Sequence, residues 1–177
     1  MMKRILILSV VMLMLLVNVC SADVYTKRIS NLGAERFVQE YNDDTYLEHG
    51  RVNYFEAPRL ATPANWQGKW PYDLWKTISV DSKYRLELTV DKQGYVTKVE
   101  IKYAQQLDFN NAEKILLEML DTSSFLSKQQ IHYLLSNVRN YGEYNRGDIV
   151  INNKISVEWL KFVRNNSVNV FGYSTFD

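Results

Sequence analysis

The clearest alternation of apolar and polar residues lies in residues 84–103, YRLELTVDKQGYVTKVEIKY. Apolar side chains recur at every second position in both halves, and successive side chains of a strand point to opposite faces of a sheet. The sequence Asp91-Lys92-Gln93-Gly94 predicts the turn between the halves, since Gly94 can adopt a positive φ without steric cost. The stretch therefore predicts a β-hairpin in an antiparallel sheet that is covered on one face only.

The charges of this hairpin predict its register. A four-residue loop superimposes the apolar faces of the two strands and places Glu87 opposite Lys98 and Arg85 opposite Glu100. Each such pair is worth a few tenths of a kcal/mol. A slip by one residue would turn every apolar side chain of one strand to the charged face. We therefore expect these two cross-strand pairs.

Helical spacing of apolar residues predicts three helices. The first runs from Leu32 to about Asn42, where Asn42-Asp43-Asp44 predicts its end. The second begins at Phe109, with Asp108 as its cap. The third follows Ser127, because Ser127-Lys128-Gln129-Gln130 has the pattern of a capping box, and Gly142 predicts where it stops.

Further strands are predicted before the hairpin and after the third helix. They comprise residues 74–80 and, after the third helix, residues 148–151, 154–164 and 167–176, which are separated by turns at Asn152-Asn153 and Asn165-Asn166. The order of helix, strands, two helices and strands hints at a duplicated helix-plus-sheet unit. We expect a single α+β domain over residues 23–177, with about three helices packed on one face of an antiparallel β-sheet.

The first 22 residues have the pattern of a cleaved signal peptide. Lys3 and Arg4 precede an apolar run over residues 5–17, and a polar region ends at Ala22, the expected cleavage site. Thirteen apolar residues are few for a membrane span. Lipid attachment at Cys20 is the first alternative to plain secretion, and an uncleaved N-terminal anchor is the second.

Composition favours an exported protein of the bacterial cell envelope. Cys20 is the single cysteine, so a chain cut after Ala22 contains none and would be held together by its core rather than by disulfides. Without Lys3 and Arg4, 19 basic residues face 20 acidic residues. This balance argues against nucleic acid or anionic lipid as a partner. A periplasmic or extracellular location is expected, with no membrane span in the mature form.

The richest group of candidate binding residues lies in residues 58–73 and just after them. All three prolines fall in this range, and a long irregular segment within a domain is often functional. Trp66, Trp70, Tyr72 and Trp75 stand close together and predict a ligand-binding loop for an envelope glycan or protein. The alternative is that these rings pack into the core.

The sequence contains little that indicates a catalytic site. His49 and His132 are the only histidines and lie in different segments, and no GxSxG, Walker, GxGxxG or HExxH motif is present. We predict no catalytic residues, metal site or cofactor. The leading hypothesis is a non-enzymatic binding or interaction module; the alternatives are a small envelope hydrolase that uses His49 or His132, and a purely structural oligomer.

Overall fold

A computed structural model describes residues 27–49, 54–69, 72–103, 109–152, 155–162 and 166–173. Within these residues the chain forms three helices and one eight-stranded antiparallel sheet, as expected of the α+β class. The elements are α1 (Ala34–His49), β1 (Arg59–Leu60), β2 (Tyr72–Ile78), β3 (Tyr84–Asp91), β4 (Val96–Tyr103), α2 (Phe109–Ser123), α3 (Lys128–Ser136), β5 (Arg139–Tyr141), β6 (Tyr144–Asn152), β7 (Ile155–Phe162) and β8 (Ser167–Tyr173). The predicted signal peptide, residues 1–22 with Cys20, lies outside the described residues.

Two four-stranded meanders form the sheet. Its strand order is β1-β2-β3-β4-β8-β7-β6-β5, so each meander joins the other through its last strand. In this central pair Ile101 lies opposite Val168, and Val99 lies opposite Val170. A helix precedes each meander, and the topology therefore agrees with the duplicated unit that the order of elements suggests.

All three helices pack on the same face of the sheet. Leu86 and Leu88 of β3 and Trp159 of β7 belong to the same buried cluster as the apolar side chains of the helices. The helical contribution includes Phe37, Val38, Tyr41, Ala112, Ile115, Leu116, Met119, Leu120, Ile131 and Leu134. The prediction that helices cover one face is thus confirmed for the described residues.

The predicted register of the β3–β4 hairpin is wrong by two residues. Glu87 lies opposite Glu100 instead of Lys98, and the register shifts between Thr89 and Val90, which leaves an extra residue in β4. The turn explains the shift, because Oδ1 of Asp91 accepts hydrogen bonds from the backbone N–H groups of Gln93 (2.9 Å) and Tyr95 (3.0 Å). From Lys98 to Tyr103 the shift of two residues leaves each side chain on its predicted face, but the irregularity turns Val96, predicted to face outward, into the core.

The predicted end of the first helix is also wrong. α1 continues through Asn42-Asp43-Asp44 to His49. Asn42 is buried, and its side-chain amide donates to the carbonyl of Phe55 (2.9 Å) and accepts from the N–H of Phe55 (3.1 Å). This polar side chain therefore anchors the following segment to the helix instead of ending the helix.

The third helix begins as predicted and ends earlier. Ser127 and Gln130 form the expected capping box, in which each side chain accepts from the other residue's backbone N–H. The helix ends at Ser136, however, and Gly142 (φ 68°) lies in the turn between β5 and β6. The residues after α3 thus form a hairpin that helical spacing did not predict.

The buried face of the hairpin should dominate stability. Truncating Leu88, which is fully buried, to alanine is expected to lower the free energy of unfolding by about 2–5 kcal/mol, because it leaves a cavity in the core. Thr89→Ala on the opposite face is the matched control, with an expected loss below about 1 kcal/mol. Urea unfolding measures both, and equal losses would contradict this assignment of faces.

Candidate binding face

The sheet face opposite the helices, which we call the open face, is covered by no described helix. Strand pairing arranges its side chains in rows that cross the sheet. One row contains Tyr141, Tyr144, Phe162, Ser167, Lys102 and Arg85; the next contains Arg139, Arg146, Leu160, Asn169, Glu100, Glu87, Lys76 and Arg59; a third includes Asp148, Glu158, Lys98 and Thr89.

A partly buried carboxylate organises the β2–β3–β4 part of the open face. The two oxygens of Glu87 contact Nζ of Lys76 (3.1 Å) and Nζ of Lys102 (2.9 Å). Burial would raise the pKa of Glu87, but hydrogen bonds and positive charge from Lys102 and Lys76 lower this pKa below its ordinary value. These contacts hold two cationic side chains in place on the face.

Another carboxylate of the open face, on β7, is buried. Glu158 is 7% exposed and pairs with the guanidinium of Arg146, which also lies 3.8 Å from Asp148. Burial raises the pKa of Glu158, the charge of Arg146 lowers it, and the carboxylate of Asp148 raises it; burial outweighs the attraction, so the pKa stays above its ordinary value. Arg146 is thereby fixed between two carboxylates.

An aromatic ladder stands beside this pair. The ring centroids of Tyr141 and Tyr144 are 5.6 Å apart with nearly parallel planes, and those of Tyr144 and Phe162 are 6.1 Å apart. Tyr141 remains 47% exposed and Tyr144 36% exposed. The ladder is therefore a preformed aromatic surface that is accessible from the solvent.

The open face is more basic than the chain as a whole. Basic side chains outnumber acidic ones in its rows, whereas the full sequence has 21 basic and 20 acidic residues. The basic set is Arg59, Lys76, Arg85, Lys98, Lys102, Arg139 and Arg146, and the acidic set is Glu87, Asp91, Glu100, Asp148 and Glu158. This local excess is hidden in the overall composition.

The four aromatic residues predicted to bind ligand do not share one surface. Trp66 is 48% exposed on the irregular loop, and Tyr72 is 43% exposed at the start of β2, on the open face. Trp75 lies three residues further along the strand, so it points to the helix side, where it packs against the core and lines a depression of about 310 Å³ near the start of α1. Trp70 lies outside the described residues.

The sequence does not reveal the aromatic ladder, because its three residues are dispersed along the chain. Tyr141 and Tyr144 flank the turn that contains Gly142, which resembled a helix stop, and Phe162 lies on another strand. Five strand spacings separate β2 from β6, or about 24 Å, so the ladder and the Trp66 loop are distinct surfaces.

His132 lies beside carboxylates that are already paired with lysines. His132 is exposed on α3 and lines a depression of about 290 Å³ with Glu118 and Asp121. These carboxylates pair with lysines, Glu118 with Lys114 (3.6 Å) and Asp121 with Lys128 (3.1 Å). The side chain of His49 is outside the description.

The described residues contain neither a candidate metal site nor a candidate membrane span. No three or more of their histidine, cysteine, aspartate or glutamate side chains form a cluster that could hold a metal ion. None of the described helices is long and apolar enough to cross a membrane. Comparison with models of known protein families, with curated proteins and with solved structures finds no match. The open face must therefore be interpreted from its own chemistry.

Replacing Glu87 with glutamine should destabilise the protein mainly at neutral pH. We expect a loss of about 1 kcal/mol at pH 7, a modest value because both lysines are partly exposed. The lowered pKa means that the carboxylate stabilises the fold above its unfolded pKa of about 4.3 and loses this contribution as the pH falls through the folded pKa. Urea unfolding should show a smaller loss near pH 3; the same loss at both pH values would contradict the ion-pair role.

Glu158 should show the opposite pH dependence. Because its pKa is raised, its contribution to stability is fully present below the unfolded pKa of about 4.3 and is lost as the pH rises through the folded pKa. Relative to Glu158→Gln, the original protein should therefore lose stability between about pH 4 and pH 7. Urea unfolding across this range is the measurement, and a constant difference would refute a pKa raised by burial.

Proposed function

We propose that this protein is an exported, non-enzymatic interaction module that binds a partner protein through the open face of its sheet. The observation that carries the proposal is the exposed ladder of Tyr141, Tyr144 and Phe162 beside Arg146. Aromatic residues and arginine are enriched in protein interfaces, where they supply contact area at low entropic cost. The described helices all lie on the opposite face of the sheet, which supports the use of this face for binding.

Charge complementarity favours an acidic partner surface. The basic excess of the open face would attract such a surface and speed its association at low salt. Lys76 and Lys102 are held by Glu87, and Arg146 is held by Glu158, so part of the entropic cost of ordering these cations is met before binding.

Export rests on the N-terminal sequence pattern. A basic start, an apolar run and Ala22 support secretion to the periplasm or the extracellular space, and Cys20 keeps lipid attachment as the alternative. The absence of cysteine after Ala22 is compatible with folding in an oxidising compartment.

A second candidate is the binding of an envelope glycan by the Trp66 loop. The exposure of Trp66 and Tyr72 favours it, because exposed rings offer stacking faces to sugars. Quenching or a shift of tryptophan fluorescence on titration with envelope glycans, lost in Trp66→Phe, would support this candidate. An unchanged spectrum with every glycan would count against it.

Charge reversal tests the open face directly. Poly-L-glutamate serves as the probe for an acidic polypeptide and polygalacturonate as the probe for an acidic glycan. Arg85→Glu should weaken binding of poly-L-glutamate about tenfold at low salt, because it removes one positive charge from the face and adds a negative one. Lys114→Glu, the same change on the exposed side of α2, should alter binding less than about twofold.

Three outcomes of this titration would contradict the proposal. They are equal losses in the two variants, no binding of poly-L-glutamate by the original protein, and clear preference for polygalacturonate, which would indicate a glycan partner. Fluorescence anisotropy of labelled probes gives the affinities, and circular dichroism confirms that both variants are folded.

A further inference from the structure

The edge of β6 is open over much of its length in the described part of the chain. β6 has nine residues, Tyr144–Asn152, but β5 pairs only with Tyr144–Arg146. From residue 147 to residue 152 no described strand lies on that side. An open edge presents backbone N–H and C=O groups that another extended chain can pair with.

Strand geometry identifies the groups at this edge. Tyr141 and Tyr144 face each other across a two-residue turn, so they form the hydrogen-bonded pair that closes the hairpin. Because bonding direction alternates along a strand, the backbone groups of Asp148 and Val150 point the same way as those of Tyr144. Asn152 pairs with Ile155 of β7 beyond a register shift, so its backbone groups belong to the pairing with β7. Asp148 and Val150 can therefore bond with an added strand without disturbing the β6–β7 ladder.

Helix α3 packs beside this edge of β6, on the face of the sheet that the helices cover. A groove of about 690 Å³ lies between them, and its lining consists of Ser127, Gln129, Gln130, Tyr133, Asp148 and Ile149. Gly147 explains the close approach of α3 to β6, since a Cβ atom there would lie 2.5 Å from the carbonyl oxygen of Leu134. Tyr133 is 56% exposed and projects an aromatic ring into this groove.

The sequence of this edge lacks the usual protection. Natural edge strands carry lysine, proline or other charges that prevent pairing with other chains. The edge sequence Gly147-Asp148-Ile149-Val150-Ile151-Asn152 contains no proline and no lysine, and Asp148 is its one charged residue. A register shift between Val150 and Asn152 breaks the alternation of β6, so the regular part of the open edge ends at Val150.

We propose that the β6 edge accepts an extended peptide segment of a partner protein as an additional strand, with a basic residue beside Asp148. The backbone groups of Asp148 and Val150 recognise the extended main chain, and Tyr133 and Gln130 contact its side chains from the α3 side. The side chain of Asp148 is 58% exposed, and Arg146, 3.8 Å away, pairs more closely with Glu158. A carboxylate in this position favours a cationic side chain on the peptide.

This edge site shares Asp148 with the open face, but Arg85 lies on a distant strand. Four strand spacings separate β3 from β6, or about 19 Å, so Arg85→Glu should leave peptide binding at the edge unchanged.

The test uses a panel of six-residue β-forming peptides that are basic, neutral or acidic, each with a twin that is N-methylated at every residue. With the basic peptide at ten times its Kd, amide exchange at Asp148 and Val150 should slow about tenfold, as measured by NMR. The N-methylated twin should give no protection, because it lacks the required donors. This control leaves the protein unaltered, so it does not depend on a variant that folds.

Variants of α3 add a second readout. Tyr133→Ala should weaken binding of the basic peptide several-fold, whereas His132→Ala, an adjacent exposed residue that lines a different depression, should not. No protection by any peptide, equal protection by the N-methylated twin, or preference for the acidic peptide would overturn the proposal. So would a concentration-dependent dimer in light scattering that protects the same amides without peptide, since a second copy would then be the occupant.

Discussion

The pairing of β4 with β8 is the interaction on which the rest of the structure depends. Val99 and Ile101 meet Val170 and Val168 near the centre of the sheet, although almost 70 residues separate the two strands in the sequence. Each meander alone would leave this inner edge exposed. Their union forms one core under the helices and one continuous outer surface, so the open face exists only because this long-range contact forms.

Side-chain periodicity predicted the faces of the sheet but not its register. Alternation in β3 and β4 correctly assigns Leu88 to the core and Glu87 to the outside, because burial of an apolar side chain is worth more than 1 kcal/mol. The predicted register depended on cross-strand charge pairs, each of which contributes only a few tenths of a kcal/mol. The hydrogen bonds of the Asp91 side chain with the turn outweigh them, and the lysines then reach the glutamates diagonally or along one strand.

Proximity in sequence was a poor guide to the candidate site. Trp66, Tyr72 and Trp75 are close along the chain, yet strand alternation separates Tyr72 from Trp75, whereas pairing of β5, β6 and β7 brings Tyr144 and Phe162 together. The predicted end of the first helix at Asn42 was wrong for a similar reason. Its polar side chain predicts a stop, but its partner is the backbone of Phe55, which local propensity cannot reveal.

The buried carboxylate of Glu158 is a costly feature for a surface that serves only to cover the core. Its desolvation offsets much of the attraction to Arg146, whose side chain is 41% exposed. The presence of this pair is easier to explain by what it positions. Arg146 is held between the aromatic ladder and Asp148, at the point where the open face meets the unpaired edge of β6. A partner that adds a strand to β6 and extends across the ladder would contact both surfaces, with Arg146 at their junction.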